Sequence, residues 1–288
     1  MTIVIFAMNQ KGFAVVERLL QVSPTNLKVV GARDSNVQRD FYEEIKGACH
    51  KCGVPFLDRS EAKGLAPEYA ITVGWRWIIR DCRELIVFHD SLLPRYRGFA
   101  PLPTALLNGD DEVGVTALFG DDDYDCGDII AQKRLHIRYP VKVQEVIDLI
   151  TPLYTELADE IVNAILAGSP LKGIPQDEAK ASYSQWRDED DYRIDWSRDA
   201  HEIKRFSDAV GYPYSGASSE LGNALVRILD TSVEPDVKIE GRVPGKVMFI
   251  RDGLPIVACG TGMLRLLDVR DGNGSSLLPL AKFRSRFK

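Results

Sequence analysis

The chain has 288 residues, 45% of them hydrophobic and 27% charged, with a formal net charge of −6 and a pI near 5.4. That length supplies core for one large domain or for a large and a small one, and the composition excludes a disordered or fibrous chain. The acidic balance disfavours a nucleic-acid partner, which needs many Lys and Arg gathered on one face.

No apolar run approaches the roughly 20 residues that cross a bilayer. The opening stretch, Met1 to Phe13, lacks the basic region and cleavage site of a signal peptide. A cytoplasmic protein with no membrane partner is expected. Five cysteines, an odd count, do not make a disulfide framework.

Thr2 to Ala7 is a short β-branched run, followed by the polar loop Met8 to Gly12 and an amphipathic stretch to Leu20, which reads as strand, loop, helix. A second strand over Leu27 to Ala32 precedes a helical segment from Phe41 to Cys52. Further strands are expected at Ala70 to Gly74 and Leu85 to Phe88. Repeated βα units imply an α/β fold with a mostly parallel sheet covered by helices on both faces. Ligands then sit outside the carboxyl ends of the strands, so the loops after Ala7, Val73 and Phe88 are expected to line the site.

Val115 to Phe119 and Ile129 to Ile137 read as two more strands flanking an acidic loop. Residues 143–166 carry apolar side chains at helical spacing, with Pro152 expected to kink that helix or mark its restart. Residues 168–182 lack periodicity and read as a linker between a catalytic domain, 1–167, and a β-rich, barrel-like domain, 183–288. In the latter a helix near His201 to Val210 is expected, then strands at Ala224 to Leu229, Lys246 to Ile250, Pro255 to Ala258 and Met263 to Val269.

The most informative segment is Phe88 to Gly98, followed by Asp121 to Asp128. A histidine just past a central strand suits proton transfer near neutral pH. A carboxylate from a neighbouring loop can fix its tautomer and stabilise the imidazolium. Asp121 to Asp123 reads as a solvated turn, and no regular spacing of oxygen ligands supports a metal there. Cys49-His50-Lys51-Cys52 has no second ligand pair for zinc and no redox setting, so both thiols read as incidental. Asn9, Gln10, Lys11 and Gly12 meet an anionic group at a helix N-terminus or form a plain turn. There is no dinucleotide or NTP fingerprint.

The motifs His-x-Ser-Leu-Leu-Pro at 89–94, Arg-Tyr-Arg-Gly-x-Ala-Pro-Leu at 95–102, Gly-Val-Thr at 114–116 and Asp-x-Gly-Asp-Ile at 125–129 occur in that order. Ile194-Asp195-Trp196, Tyr212 to Ala217, Pro244 to Val247 and Gly260 to Leu264 follow. In these the chain resembles the formyltetrahydrofolate-dependent formyltransferases, which include methionyl-tRNA formyltransferase and the nucleotide-sugar N-formyltransferases. The resemblance implies a Rossmann-like catalytic domain, a barrel-like C-terminal domain and N10-formyltetrahydrofolate as co-substrate, without a metal. It implies that His89 and Asp125 are catalytic. It also implies a folate cleft made by Trp75, Arg76, Trp77 and Ile78, by Leu92, Leu93 and Pro94, and by Asp122, Asp123 and Tyr124. Trp75 and Trp77 read otherwise as core aromatics.

One departure stands out. The family places an asparagine two residues before this histidine, where its amide helps hold the formyl oxygen; here that residue is Val87. Either a backbone N–H or Asn9 replaces it, or the geometry is altered, or the protein is weakly active. The stretch from Asp34 to Cys52 is short and mixed in charge where the tRNA enzyme carries a basic insertion. Arg187-Asp188-x-x-Asp191 looks more like the sugar enzymes. The expected acceptor is therefore the amine of a nucleotide-linked amino sugar, contacted by Asn9, Lys11, Ser91, Tyr96, Arg97 and Gly98. The alternatives are methionyl-tRNA formylation and a weakly active or non-catalytic folate-binding relative. The C-terminal domain would shape the acceptor site or make a homodimer, and no pattern chooses between these.

Overall fold

The computed structural model describes residues 2–22 and 24–288. The chain divides into two compact units. The first takes in the chain up to Ala105 together with Asp111–Ile137 and Val146–Trp186, and the second comprises Leu106–Asp110, Arg138–Glu145 and Arg187–Lys288.

In chain order the first unit contains β1 (Ile3–Ala7), α1 (Asn9–Val22), β2 (Leu27–Gly31), α2 (Tyr42–Lys51), β3 (Phe56–Asp58), β4 (Tyr69–Val73), β5 (Glu84–His89) and the two-residue β6 (Arg97–Gly98). Then come α3 (Pro101–Asn108), β7 (Glu112–Phe119), β8 (Ile129–His136), α4 (Val143–Leu166) and β9 (Tyr183–Ser184), with α3 and α4 running across the unit boundaries. The main sheet has the order β3-β2-β1-β4-β5-β7-β8. Its first five strands are parallel, and β7 and β8 pair antiparallel. From β1 the chain runs outward through β2 and β3, then returns to the other side of β1 as β4. That reversal opens a crevice at the carboxyl ends of β1 and β4, where open α/β sheets bind ligands.

Alternation along the strands sends successive side chains to opposite faces. Ile3, Ile5, Ala7, Ile71, Val73, Ile86 and Phe88 join α1, α2 and α4 in one core. Val4, Phe6, Val30 and Ala70 face the other way, where Trp75, Ile79, Cys82 and Leu85 pack on them. By the same alternation Thr72, Val87 and His89 belong to this second face. α4 continues through Pro152 as one helix. Pro152 is exposed, so the carbonyl it leaves unbonded can turn to water, and the helix neither stops nor restarts there.

Residues 168–182, expected as a connection, are bonded to the first unit. Ile129 and Ile174 exchange both backbone hydrogen bonds at 2.9 Å, and the Arg97 N–H donates to the Ser182 carbonyl at 2.8 Å.

The second unit is built on α5 (Ala200–Ala209), capped by the Asp199 side chain, and on β10 (Ala217–Leu221), β11 (Ala224–Glu234), β12 (Val247–Arg251), β13 (Leu254–Ala258) and β14 (Met263–Arg270). These strands form an antiparallel sheet in the order β10-β11-β14-β13-β12. Its two edges are joined by the end of the chain: Leu221 bridges Phe287, and Lys246 bridges Arg286. The joined edges make the sheet barrel-like around Trp196, Ile228, Val257, Leu266 and Phe287. No helix among the described residues is long and apolar enough to cross a membrane.

Candidate active site

β5 delivers His89 at its last residue, 6% exposed. His89 Nε2 lies 2.7 Å from the Tyr96 carbonyl. A carbonyl only accepts, so this nitrogen carries the proton and donates. Nδ1 is left facing Asp125 Oδ2 at 3.4 Å. Asp125 sits in the loop between β7 and β8 with φ 55°, and the same carboxylate oxygen accepts from the Gly98 N–H at 2.8 Å. The two residues expected to be catalytic, 36 positions apart in the numbering, are therefore brought together by β5 and the β7–β8 loop.

The rest of the 91–98 segment holds this arrangement. Ser91 Oγ donates to the Arg95 carbonyl at 2.6 Å. Thr116, on β7, donates to the Ser91 carbonyl and accepts from the Leu93 N–H. The Gln132 amide, on β8, donates to the Leu93 carbonyl at 2.9 Å and to Thr116 Oγ1 at 2.8 Å. Leu93 and Tyr96 are buried, and Leu92 and Pro94 are half-buried. The Tyr96 N–H donates to Ser182 Oγ at 2.9 Å.

Arg97, expected to meet substrate, is 1% exposed and fully engaged within the protein. It donates to both carboxylate oxygens of Glu178, at 2.6 and 2.9 Å, and to the Gln176 side-chain oxygen. The Gln176 amide in turn donates to the Asp125 and Gly127 carbonyls at 2.7 and 2.8 Å. Arg97 thus positions the Asp125 loop rather than reaching outward. Lys11, also expected to meet substrate, is likewise engaged within the protein. Its ammonium is buried against Asp90 and lies 5.5 Å from the centre of the Tyr154 ring, while the Tyr154 hydroxyl also donates to Asp90. Burial pushes the Asp90 carboxyl up, but Lys11 and Tyr154 outweigh it and hold it below the ordinary carboxylate range.

In the segment after β4, Trp75 packs edge-on to Phe6 at 5.2 Å and to Trp77 at 5.0 Å. It is therefore partly a core aromatic, yet its indole N–H is buried with no partner among the described residues. Arg76 pairs with Asp34 at 2.6 Å, and the Arg59 guanidinium lies 4.0 Å from the Trp77 ring centre. Ile78 is 63% exposed. Asn9 donates to Asp34 at 3.0 Å, which commits its amide nitrogen, while its oxygen is buried with no partner among the described residues. Asp122 and Asp123 are exposed, and the exposed Tyr124 ring lies 5.6 Å from Phe99. Burial pushes the Cys49 thiol up to about 12, as expected of an inert cysteine. Gln176, Glu178, Gln132, Asp34 and Tyr154 were not signalled by the sequence, because their partners lie far away in the chain, and Thr116 was signalled only as a motif letter.

The Formyl transferase model matches residues 59–150, and the model of the formyl transferase C-terminal domain matches residues 187–284. A methionyl-tRNA formyltransferase of Citrifermentans bemidjiense is 32% identical over 267 residues, covering 87% of this chain and 81% of its own. Among solved structures, the sugar 3N-formyl transferase WlaRD, with dTDP and 5-N-formyl-THF, superposes with a TM-score of 0.70. It is 17% identical, and the match covers 95% of this chain and 98% of that one. The N-formyltransferase from Helicobacter canadensis, with folinic acid and dTDP-3-aminofucose, gives 0.71 at 16% identity, covering 92% and 99%. With both domain models matched in order and a relative alike along most of its length, the chain belongs to the formyl transferase family and is a formyl-transferring enzyme.

Proposed function

We propose that the protein transfers a formyl group from N10-formyltetrahydrofolate to the amino group of a nucleotide-linked amino sugar, with His89 and Asp125 at the reacting centre. The folate supplies an activated formyl carbon. Trp75, whose indole N–H has no partner among the described residues, and the half-buried Leu92 suit a flat ring with a polar edge.

In the reaction the amine lone pair forms a bond to the formyl carbon while the C=O π pair moves onto oxygen. That pair then re-forms the carbonyl as the bond to N10 breaks, N10 takes a proton and the amine loses one. With Nε2–H held by the Tyr96 carbonyl, the Nδ1 lone pair of His89 is the acceptor for the amine proton. The Asp125 carboxylate beside it stabilises the imidazolium that results.

The observation that carries the acceptor reading lies in the stretch from Arg33 to Glu44, after β2 and into the first turn of α2. Arg33 pairs with Asp40 and Glu43, and Arg39 with Glu44 at 2.8 Å, so acids within the same stretch neutralise both of its arginines. That favours a small acceptor over a phosphate backbone. Two observations favour the second reading, methionyl-tRNA: the sequence relative above, and a groove where Lys282, Arg284, Arg286 and Lys288 gather beside Asn223. The test offers the enzyme N10-formyltetrahydrofolate with a panel of nucleotide-linked amino sugars and, separately, methionyl-tRNA, with products read by mass spectrometry. Formylation of a sugar nucleotide supports the proposal. Formylation of the tRNA alone transfers the assignment to the second reading.

A further inference from the structure

As the amine attacks, negative charge develops on the formyl oxygen, and a fixed donor at that point is worth roughly 10²–10³ in rate. The donors that hold the 91–98 segment and the Asp125 loop are already committed. His89 Nε2–H goes to the Tyr96 carbonyl, the Gly98 N–H to Asp125, and the Thr116 hydroxyl to the Ser91 carbonyl. The Gln132 amide goes to Leu93 and Thr116, and Arg97 to Gln176 and Glu178. Val87, two residues before His89 on the same face, has no polar side-chain atom.

Thr72 remains. It lies on β4 in register with Val87, on the sheet face that carries Val87 and His89 and away from the core formed by Ile71 and Val73. Thr72 is 6% exposed, and among the described residues its hydroxyl makes no hydrogen bond to another side chain or carbonyl. A hydroxyl that no protein group claims is free to donate to a ligand oxygen that comes within reach. A strand spacing of about 4.8 Å and a two-residue rise of about 6.6 Å put the Cα atoms of Thr72 and His89 about 8 Å apart. A formyl group can lie between the two side chains.

We infer that Thr72 is a catalytic residue whose Oγ–H donates to the formyl oxygen, receiving the charge that the π pair brings there before it returns to expel N10. This rests on formyl transfer at His89 and Asp125 as proposed above, and it assigns the donor that Val87 cannot supply.

The test compares full-length wild type, Thr72→Val and Thr72→Ser. The first readout needs no acceptor: the infrared carbonyl stretch of bound N10-formyltetrahydrofolate labelled with carbon-13 in the formyl group. The expected result is a stretch at higher wavenumber in T72V than in wild type, restored in T72S, with folate affinity nearly unchanged. On the acceptor found by the panel above, kcat is expected to fall roughly 10²–10³-fold in T72V and to recover largely in T72S. The thermal midpoint of T72V is expected at or above that of wild type, because no protein hydrogen bond is lost. An identical carbonyl stretch in wild type and T72V overturns the assignment to Thr72 and leaves the donor reading intact. Failure of the wild-type protein to bind the formylfolate overturns that reading, and the inference with it.

Discussion

His89 and Asp90 are adjacent in sequence and opposite in environment because successive residues at a strand end leave by opposite faces. His89 turns to Asp125; Asp90 turns to Lys11 and Tyr154 beneath the sheet. The folded pKa of Asp90 lies below the ordinary value, so its contribution to stability is complete above the usual carboxylate range and is lost as pH falls through the folded pKa. Replacing Asp90 by Asn leaves Lys11 buried without its countercharge, at a cost of roughly 3–5 kcal/mol at pH 7. Urea titrations from neutral to acid pH should show that cost shrinking as the wild type approaches the variant. Gln176 offers a complementary test, since its amide holds the Asp125 backbone. Gln176→Ala is expected to lower kcat by up to about 10²-fold with little change in Kd for formylfolate, measured by steady-state kinetics and by titration.

The elements divide into those legible in the sequence and those hidden. β1, β2, β4, β5, β7 and β8 begin or end close to apolar runs visible in the chain, and α4 follows its helical spacing across the whole of 143–166. β3, with three residues, and β6 and β9, with two each, are too short for any periodicity. α3 is masked by Pro101 and Pro103, although proline is well suited to the first helical turn. At the site, the meeting of His89 with Asp125 was legible through motif order. The fate of Lys11 and Arg97 was not, because a cation in sequence does not reveal whether a distant acid will claim it. Gly98 was legible only as a motif letter. Its φ is 94°, and a Cβ there would lie 2.8 Å from the Ser184 carbonyl oxygen. Gly98→Ala should therefore cost about 1–3 kcal/mol and loosen the β6 turn that donates to Asp125. Urea denaturation checks the first effect and kcat the second.

At the scale of the molecule, the barrel-like unit depends on the last few residues of the chain. The Glu220 and Lys288 backbones exchange two hydrogen bonds at 2.9 Å, and the Phe287 N–H donates to the Gly245 carbonyl at 2.8 Å. The Phe287 ring is buried 5.7 Å from Trp196. Phe287→Ala is expected to cost that unit roughly 3–5 kcal/mol. Amide exchange should speed up in β10 and β12 and stay as in wild type in β1 and β4.

The proposed formyl transfer depends on His89 and Asp125 acting together at one centre. Its most direct test is turnover by His89→Ala and Asp125→Asn, each alongside a titration of formylfolate binding. Both variants are expected to lose roughly 10²–10⁴ in kcat while binding formylfolate as wild type does. Turnover at the wild-type rate in either variant would contradict the account.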